Sequence, residues 1–208
     1  MSQVAVADGH HDVYSSTGLP HRKLMMWAFL GSDCMFFGAL MSTYLIYHGK
    51  SQQGPYPLDV FSLELTTLST FVLLMSSLTM VLALAAIQRE ARRLFQWWVS
   101  LTILCGLVFL GFQVYEFAHF AHAGLSLQSS LFGSSFFTLT GMHGIHVSID
   151  VLWLISLWVY SFRGGVTSER ALDVEIAGLY WHFVDVVWIA IFTVVYLLEF
   201  ITGSAGMP

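Results

Sequence analysis

Five apolar windows, each long enough to cross a lipid bilayer, constrain this chain more than any other feature of its sequence. A spanning helix needs about 20 largely apolar residues, and breaks rich in glycine, proline or charge separate the windows. The windows cover residues 24–47, 62–87, 96–120, 131–160 and 174–201. The sequence therefore predicts an all-α membrane protein with five transmembrane helices.

The composition agrees with a membrane protein and excludes one class of partner. Only 10% of the 208 residues are charged and 56% are hydrophobic, whereas about a quarter of a typical soluble domain is charged. The net charge is −5 and no basic run occurs, so nucleic acid is excluded as a partner. Cys34 and Cys105 both lie inside apolar windows and predict no disulfide framework.

The basic residues predict how the chain is oriented in the membrane. Lys50 lies on one side, and the other basic residues lie on the opposite side: Arg22, Lys23, Arg89, Arg92, Arg93, Arg163 and Arg170. The positive-inside rule then places the N-terminus in the cytoplasm and the C-terminus outside. We predict a flexible cytoplasmic tail over residues 1–23, a transmembrane domain over 24–201 and a short outer tail over 202–208.

The last window carries ionisable residues at membrane depth. His182 and Asp185 are three residues apart, so they share one face of a helix. Glu175 lies near the beginning of the same window. Ionisable side chains inside a bilayer are costly, and they commonly mark a functional or assembly surface.

A single carboxylate, Asp33, lies near the middle of the first window. It is interpreted either as a protonated acid that hydrogen-bonds to a neighbouring helix or as a proton-exchanging site. The first interpretation is favoured because the sequence shows no relay of further groups beside it.

Helix contacts are also predicted for the polar residues of the second and third windows. Serine and threonine recur along the second window, as is typical of close helix packing. Gln113, Glu116 and His119 follow at three-residue steps in the third. A di-iron site would need the Glu-x-x-His motif twice, and one copy is present. The strip is therefore interpreted as a surface that faces another helix.

The fourth window places His143, His146 and Asp150 on one stripe of its helix. Such a stripe could bind a metal ion, or haem with His182 as a ligand from a facing helix. Histidines bonded to neighbouring carboxylates are the favoured interpretation.

Spacing excludes several classes of stand-alone enzyme. No P-loop, zinc-protease helix motif or dinucleotide fingerprint is present, and Gly133-Ser134-Ser135-Phe136 lacks the closing glycine of a rhomboid-type nucleophile. The polar residues suit helix packing but are too scattered to form an active site. A subunit of a larger complex is therefore predicted, with a stand-alone membrane transporter or proton channel as the alternative from another class.

Six motifs together resemble subunit III of the haem–copper terminal oxidases, the family of cytochrome c oxidases and quinol oxidases. They lie at residues 32–37, 69–79, 113–119, 132–137, 140–147 and 180–188, within a resemblance that runs from about residue 22 to 200. The most specific are Thr140-Gly141-Met142-His143-Gly144-Ile145-His146-Val147 and Tyr180-Trp181-His182-Phe183-Val184-Asp185-Val186-Val187-Trp188.

The resemblance implies a non-catalytic subunit without metal or redox centre, of the five-helix type found in the bacterial plasma membrane. Its helices are expected in two groups around a V-shaped cleft filled with phospholipid. The expected partners are subunit I, which carries haems and copper, together with subunit II and small subunits. The complex would reduce oxygen to water and translocate protons in aerobic electron transport. The residues expected to make inter-helix, lipid-cleft or proton-exchange contacts are Asp33, Glu116, His143, His146, Glu175, His182 and Asp185.

Two positions depart from the common family pattern. Asp33 stands where many members have glutamate, a form that also occurs in quinol oxidases. Asp150 stands where glycine is common, and we hypothesise that it pairs with His146. Family frequency predicts cytochrome c as the electron donor, with quinol as the alternative.

Overall fold

Five helices form the described part of the chain. The structure is a computed structural model, and it describes residue 18 and residues 20–47, 63–122, 131–167 and 171–197. The helices are α1 (His21–Tyr47), α2 (Leu63–Gln88), α3 (Arg92–His122), α4 (Leu131–Phe162) and α5 (Ala171–Ile191), and α5 continues as a π-helical turn over Phe192–Leu197. All five are long and apolar enough to span a membrane. The prediction of five spanning helices is confirmed. Most of the predicted N-terminal tail and all of the predicted C-terminal tail lie outside the described residues.

Backbone geometry at the helix ends explains why α1 and α3 begin earlier than the apolar windows. Pro20 precedes α1, and its carbonyl accepts hydrogen bonds from the amides of Lys23 and Leu24. Proline suits a helix start because its fixed φ angle is already helical. Between α2 and α3, Glu90 has a φ of 59° and makes a tight reversal. Helix α3 therefore begins two residues after Glu90, and its first residues are basic.

The helices pack around α5. This helix contacts α1, α2 and α4, and α3 contacts α2 and α4. The most extensive interface joins α2 and α3, which the tight turn makes antiparallel neighbours. Only 17% of the α1 span is buried, compared with 50% of the α5 span. Helix α1 therefore lies at the periphery, where it faces lipid or another protein.

Two ion pairs join the N-terminal ends of α1 and α5. Arg22 Nη2 lies 2.6 Å from Asp173 Oδ1, and Lys23 Nζ donates to Glu175 Oε1 at 2.5 Å. These contacts place the beginnings of α1 and α5 on the same side of the membrane. Since both pairs are partly exposed, each contributes about 0–1 kcal/mol and mainly sets the register of the two helices.

The hydroxyl groups of α2 bond to its neighbours, as the sequence predicts. The indole nitrogens of Trp181 and Trp188 donate to Ser76 Oγ and Thr70 Oγ1, both at 2.9 Å. Inter-helix bonds of this kind contribute about 0.6–2 kcal/mol each in membranes. Tryptophans of α5 are therefore anchored to the hydroxyl-rich face of α2.

Helices α3, α4 and α5 meet closely at Gly106. A Cβ atom at this position would lie 2.6 Å from Cη2 of Trp181 and 2.9 Å from Cγ2 of Val151. Both distances are far below van der Waals contact, and the obstructing groups are a buried indole and a stiff β-branched side chain. The contact requires a residue without a side chain.

We expect Gly106→Ala to lower the free energy of unfolding by about 1–2 kcal/mol, because overpacking a close contact forces neighbours out of their preferred rotamers. Equilibrium unfolding in mixed micelles, followed by circular dichroism, measures the change. Gly111→Ala is the control, since nothing lies within 4 Å of its added Cβ. The control should be neutral or slightly stabilising, and equal effects of both variants would contradict the packing argument.

Candidate functional site: buried acids and histidines between α1, α4 and α5

The candidate site begins where α1 meets α4. Asp33 Oδ2 lies 3.3 Å from His146 Nε2, and both side chains are nearly buried. The Nδ1–H group of His146 donates to the carbonyl of Met142 at 2.7 Å. With Nδ1 occupied in this way, Nε2 is the ring atom that faces the carboxyl group of Asp33. The contact joins two helices through one acid and one imidazole.

The hypothesis that His146 pairs with Asp150 is therefore wrong. Spacing along α4 puts the two residues on one stripe, but His146 turns toward α1 and finds its carboxylate there. Neither carboxyl oxygen of Asp150 has a hydrogen-bond partner among the described residues. The carboxyl group on the neighbouring helix is the nearer partner.

His143 is completely buried among aromatic rings. Its ring stacks on Trp188 with centroids 4.8 Å apart, and the edges of Phe109 and Phe37 approach it at 5.8 and 6.5 Å. Neither ring nitrogen has a hydrogen-bond partner in the described part of the chain. In this setting the imidazole packs as a small aromatic ring.

Two buried carboxyl groups lie at the α4–α5 interface. Asp150 on α4 is 0% exposed and Asp185 on α5 is 3% exposed. The two interact electrostatically across the interface. All four of their oxygens lack a hydrogen-bond partner within the described ranges. This is the least satisfied cluster of polar atoms that the described helices contain.

His182 and Asp185 both lie near Ser77 of α2, as their shared face predicts. A hydrogen bond of 2.6 Å joins Ser77 Oγ to His182 Nδ1, and Ser77 also lies beside Asp185. The bond of His182 is thus made to α2, and not to the aspartate one turn away. Helix α5 turns this polar edge toward α2.

Glu116 links three helices nearer the opposite end of the bundle. Thr66 of α2 donates to Oε1, and the hydroxyl of Tyr196 in the π-helical turn donates to Oε2 at 3.3 Å. Glu116 and Gln113 are buried, whereas His119 on the next turn is exposed. Of the three residues in the predicted polar strip of α3, only Gln113 and Glu116 therefore face other helices.

Sequence reasoning missed several partners of these groups. Glu175 lies in the ion pair with Lys23 at the helix ends, away from the buried cluster. Tyr180 is buried next to Asp150 and Asp33. The only sequence signal for Tyr180 was its place in the last motif, whereas Asp150 was recognised from its place on the histidine stripe of the fourth window and as a departure from glycine.

The arrangement offers acid–imidazole and acid–acid contacts and no set of metal ligands. Within the residues that the structure describes, no three histidine, cysteine or acidic side chains converge on one point. Of the groups in the proposed metal or haem stripe, His143 lies among aromatic rings and His146 lies against Asp33.

Comparisons with known proteins agree with the motifs. The family described as "Cytochrome c oxidase subunit III" matches residues 1–200. The chain is 42% identical to proteins called "Probable quinol oxidase subunit 3" in Staphylococcus saprophyticus and Staphylococcus epidermidis, over 177 residues that cover 85% of this chain and 88% of each relative. The protein of the same description from Staphylococcus aureus is 41% identical over the same lengths. The resemblance inferred from the sequence is thereby confirmed, and the chain belongs to the cytochrome c oxidase subunit III family.

Proposed function

We propose that this chain is the third subunit of a bacterial haem–copper oxidase that takes its electrons from a quinol. The observation that carries this proposal is the identity of 41–42% to quinol oxidase subunits over 85% of the chain. These relatives favour the quinol alternative over the cytochrome c donor that family frequency predicts. Asp33 in the first motif points the same way.

In this proposal the chain supports catalysis without a redox centre of its own. The haems and copper would lie in partner subunits, with subunit I packed directly against this chain, and the complex would couple oxygen reduction to proton translocation. The peripheral, sparsely buried α1 supports a protein partner on that face. The buried polar groups bond to neighbouring helices in most cases, as expected of a structural subunit.

Phospholipid binding and the orientation in the membrane are part of the same proposal. A groove of about 410 Å³ lies between the beginning of α3 and the end of α4. Its walls are Arg93, Gln96, Trp97, Ser100, Trp158 and Phe162. One arginine above apolar and aromatic walls suits the phosphate and acyl chains of a lipid at an interface. With a cytoplasmic N-terminus, this groove would lie at the cytoplasmic surface. A phospholipid of the expected lipid-filled cleft would bind there.

Purification of the full-length chain through an affinity tag, in mild detergent and from its native membrane, tests the proposal. We expect haem-bearing subunits to co-purify, with oxygen consumption at least tenfold faster on a reduced quinol than on reduced cytochrome c. Removing the gene of this chain should leave the haem spectrum and reduce sustained turnover. The matched control is the tagged chain produced in a host without the partner subunits, which should carry no haem.

Two results would contradict different parts of this proposal. Faster turnover on cytochrome c would overturn the quinol donor and leave the family unchanged. Purification without any haem-bearing partner, as a single protein or homo-oligomer, would overturn the subunit itself and favour the transporter alternative.

A further inference from the structure

The strongest unexplained feature of the bundle is the pair of buried carboxyl groups, Asp150 and Asp185. They belong to two helices that pack together, they interact electrostatically, and none of their four oxygens meets the geometry of a hydrogen bond with another described residue. A buried carboxyl group without a partner is costly, and the cost is far larger for an ionised one. Apart from Ser77, which lies beside Asp185, no described side chain other than the two acids is placed to satisfy these oxygens. The pair therefore needs a proton, a water molecule or another ligand.

No basic side chain is placed to neutralise the pair. The described lysine and arginine residues lie at or beyond the helix ends, as in the ion pairs of α1 with α5. The groups that act on the two acids are Tyr180 from α5, Ser77 from α2 and the other acid. Two carboxylates that share a buried site without a cation cannot both remain ionised.

A metal ion fits the pair poorly. Ions such as calcium or magnesium require six or more oxygen ligands. No third histidine, cysteine or acidic side chain converges with the two aspartates in the part of the chain that the structure describes. A proton needs only the two carboxyl groups, and a bridging water needs two to four polar partners, which the pair supplies.

Polar groups adjoin the buried pair on both sides. Toward α1, Tyr180 interacts electrostatically with both Asp150 and Asp33, and Asp33 contacts His146. Toward α2, Ser77 lies beside Asp185 and bonds to His182. These groups are the candidate steps for proton exchange with the buried acids.

From this geometry we infer that Asp150 and Asp185 form a buried proton-binding site that retains at least one proton at neutral pH. Bridging water satisfies the remaining oxygens, and the proton exchanges with solvent through the flanking groups. The site belongs to this chain, so it does not rest on the identity of the electron donor. Asp150, which replaces the glycine common at this position, supplies half of it.

Infrared spectroscopy of the full-length chain, purified with its native partners and placed in lipid nanodiscs, tests the inference. A protonated carboxylic acid has a carbonyl stretching band separate from the bands of carboxylates. In the difference between the wild type and the Asp150→Asn/Asp185→Asn double variant at neutral pH, we expect loss of such a band. Because the proton is exchangeable, the band should move to lower frequency in heavy water.

Asp173→Asn provides the matched control. Asp173 is on the same helix as Asp185 but pairs with Arg22 at the surface, so its removal should leave the protonated-acid band unchanged. Titration of the wild type to alkaline pH is a second readout that needs no variant. It should remove the band that the double variant lacks.

Three results would overturn the inference. The double variant could show the same protonated-acid band as the wild type, which would mean that both aspartates are ionised. The wild-type spectrum at neutral pH could respond to sodium or potassium, which would assign the pair to a metal cation. The band could fail to shift in heavy water after prolonged equilibration, which would exclude exchange with solvent.

Discussion

Replacing Trp181 by alanine is expected to lower the free energy of unfolding by about 3–5 kcal/mol, the largest single effect that the structure predicts. Trp181 is 1% exposed, and its ring packs against Gly106 of α3. Because glycine has no side chain, Gly106 could not fill the space that the indole leaves. Its removal opens a cavity at the contact of three helices. It also removes the hydrogen bond from the indole nitrogen to Ser76 Oγ.

Equilibrium unfolding of the purified protein in mixed micelles measures this effect. Trp97→Ala is the matched control, because Trp97 is a tryptophan of a spanning helix with 77% exposure. The control should change the free energy of unfolding by less than about 1 kcal/mol, because the ring of Trp97 contacts detergent or lipid more than it contacts the other helices. Equal losses in both variants would show that tryptophan content, and not the packing at Gly106, determines stability.

Glu116→Ala is expected to lower the free energy of unfolding by about 1–3 kcal/mol. The substitution removes one buried carboxyl group that accepts hydrogen bonds from Thr66 of α2 and from Tyr196 in the π-helical turn. Inter-helix bonds in membranes contribute about 0.6–2 kcal/mol each. Both hydroxyl groups lose this acceptor in an apolar interior.

A conservative variant and a surface variant separate hydrogen bonding from general effects of substitution. Glu116→Gln keeps the shape of the side chain and one of its two acceptor oxygens, so it should recover part of the lost stability. Glu64→Ala changes an exposed acid of α2 and should be nearly neutral. The same unfolding measurement applies to all three variants. If Glu116→Gln is as damaging as Glu116→Ala, the carboxyl group does not act through these two hydrogen bonds.

The membrane-spanning architecture could be predicted because the bilayer imposes it locally. A helix that crosses the hydrocarbon needs a long apolar segment, and this requirement is visible in one stretch of sequence at a time. The predicted windows accordingly coincide with all five helices, apart from shifts of a few residues at their ends. The helix-bonding role of the α2 hydroxyls was also predictable, since small polar residues inside a span have few other uses.

The partners of the buried acids could not be predicted in the same way. Helical spacing correctly placed His146 and Asp150 on one stripe, and His182 and Asp185 on another. It did not show that His146 contacts Asp33 of α1 or that His182 bonds to Ser77 of α2. Each of these contacts joins residues that are more than one hundred positions apart.

By itself, the sequence determined the number of spanning helices, their approximate limits and the family, because apolar length and short motifs are properties of contiguous residues. Only the tertiary structure decided that Asp33 lies against His146, that Glu116 joins three helices and that Asp150 interacts electrostatically with Asp185. Those contacts depend on the rotation and depth of each helix relative to its neighbours. Rotation and depth are set by the packing of large side chains such as Trp181 against small residues such as Gly106, and this packing is a property of the whole bundle.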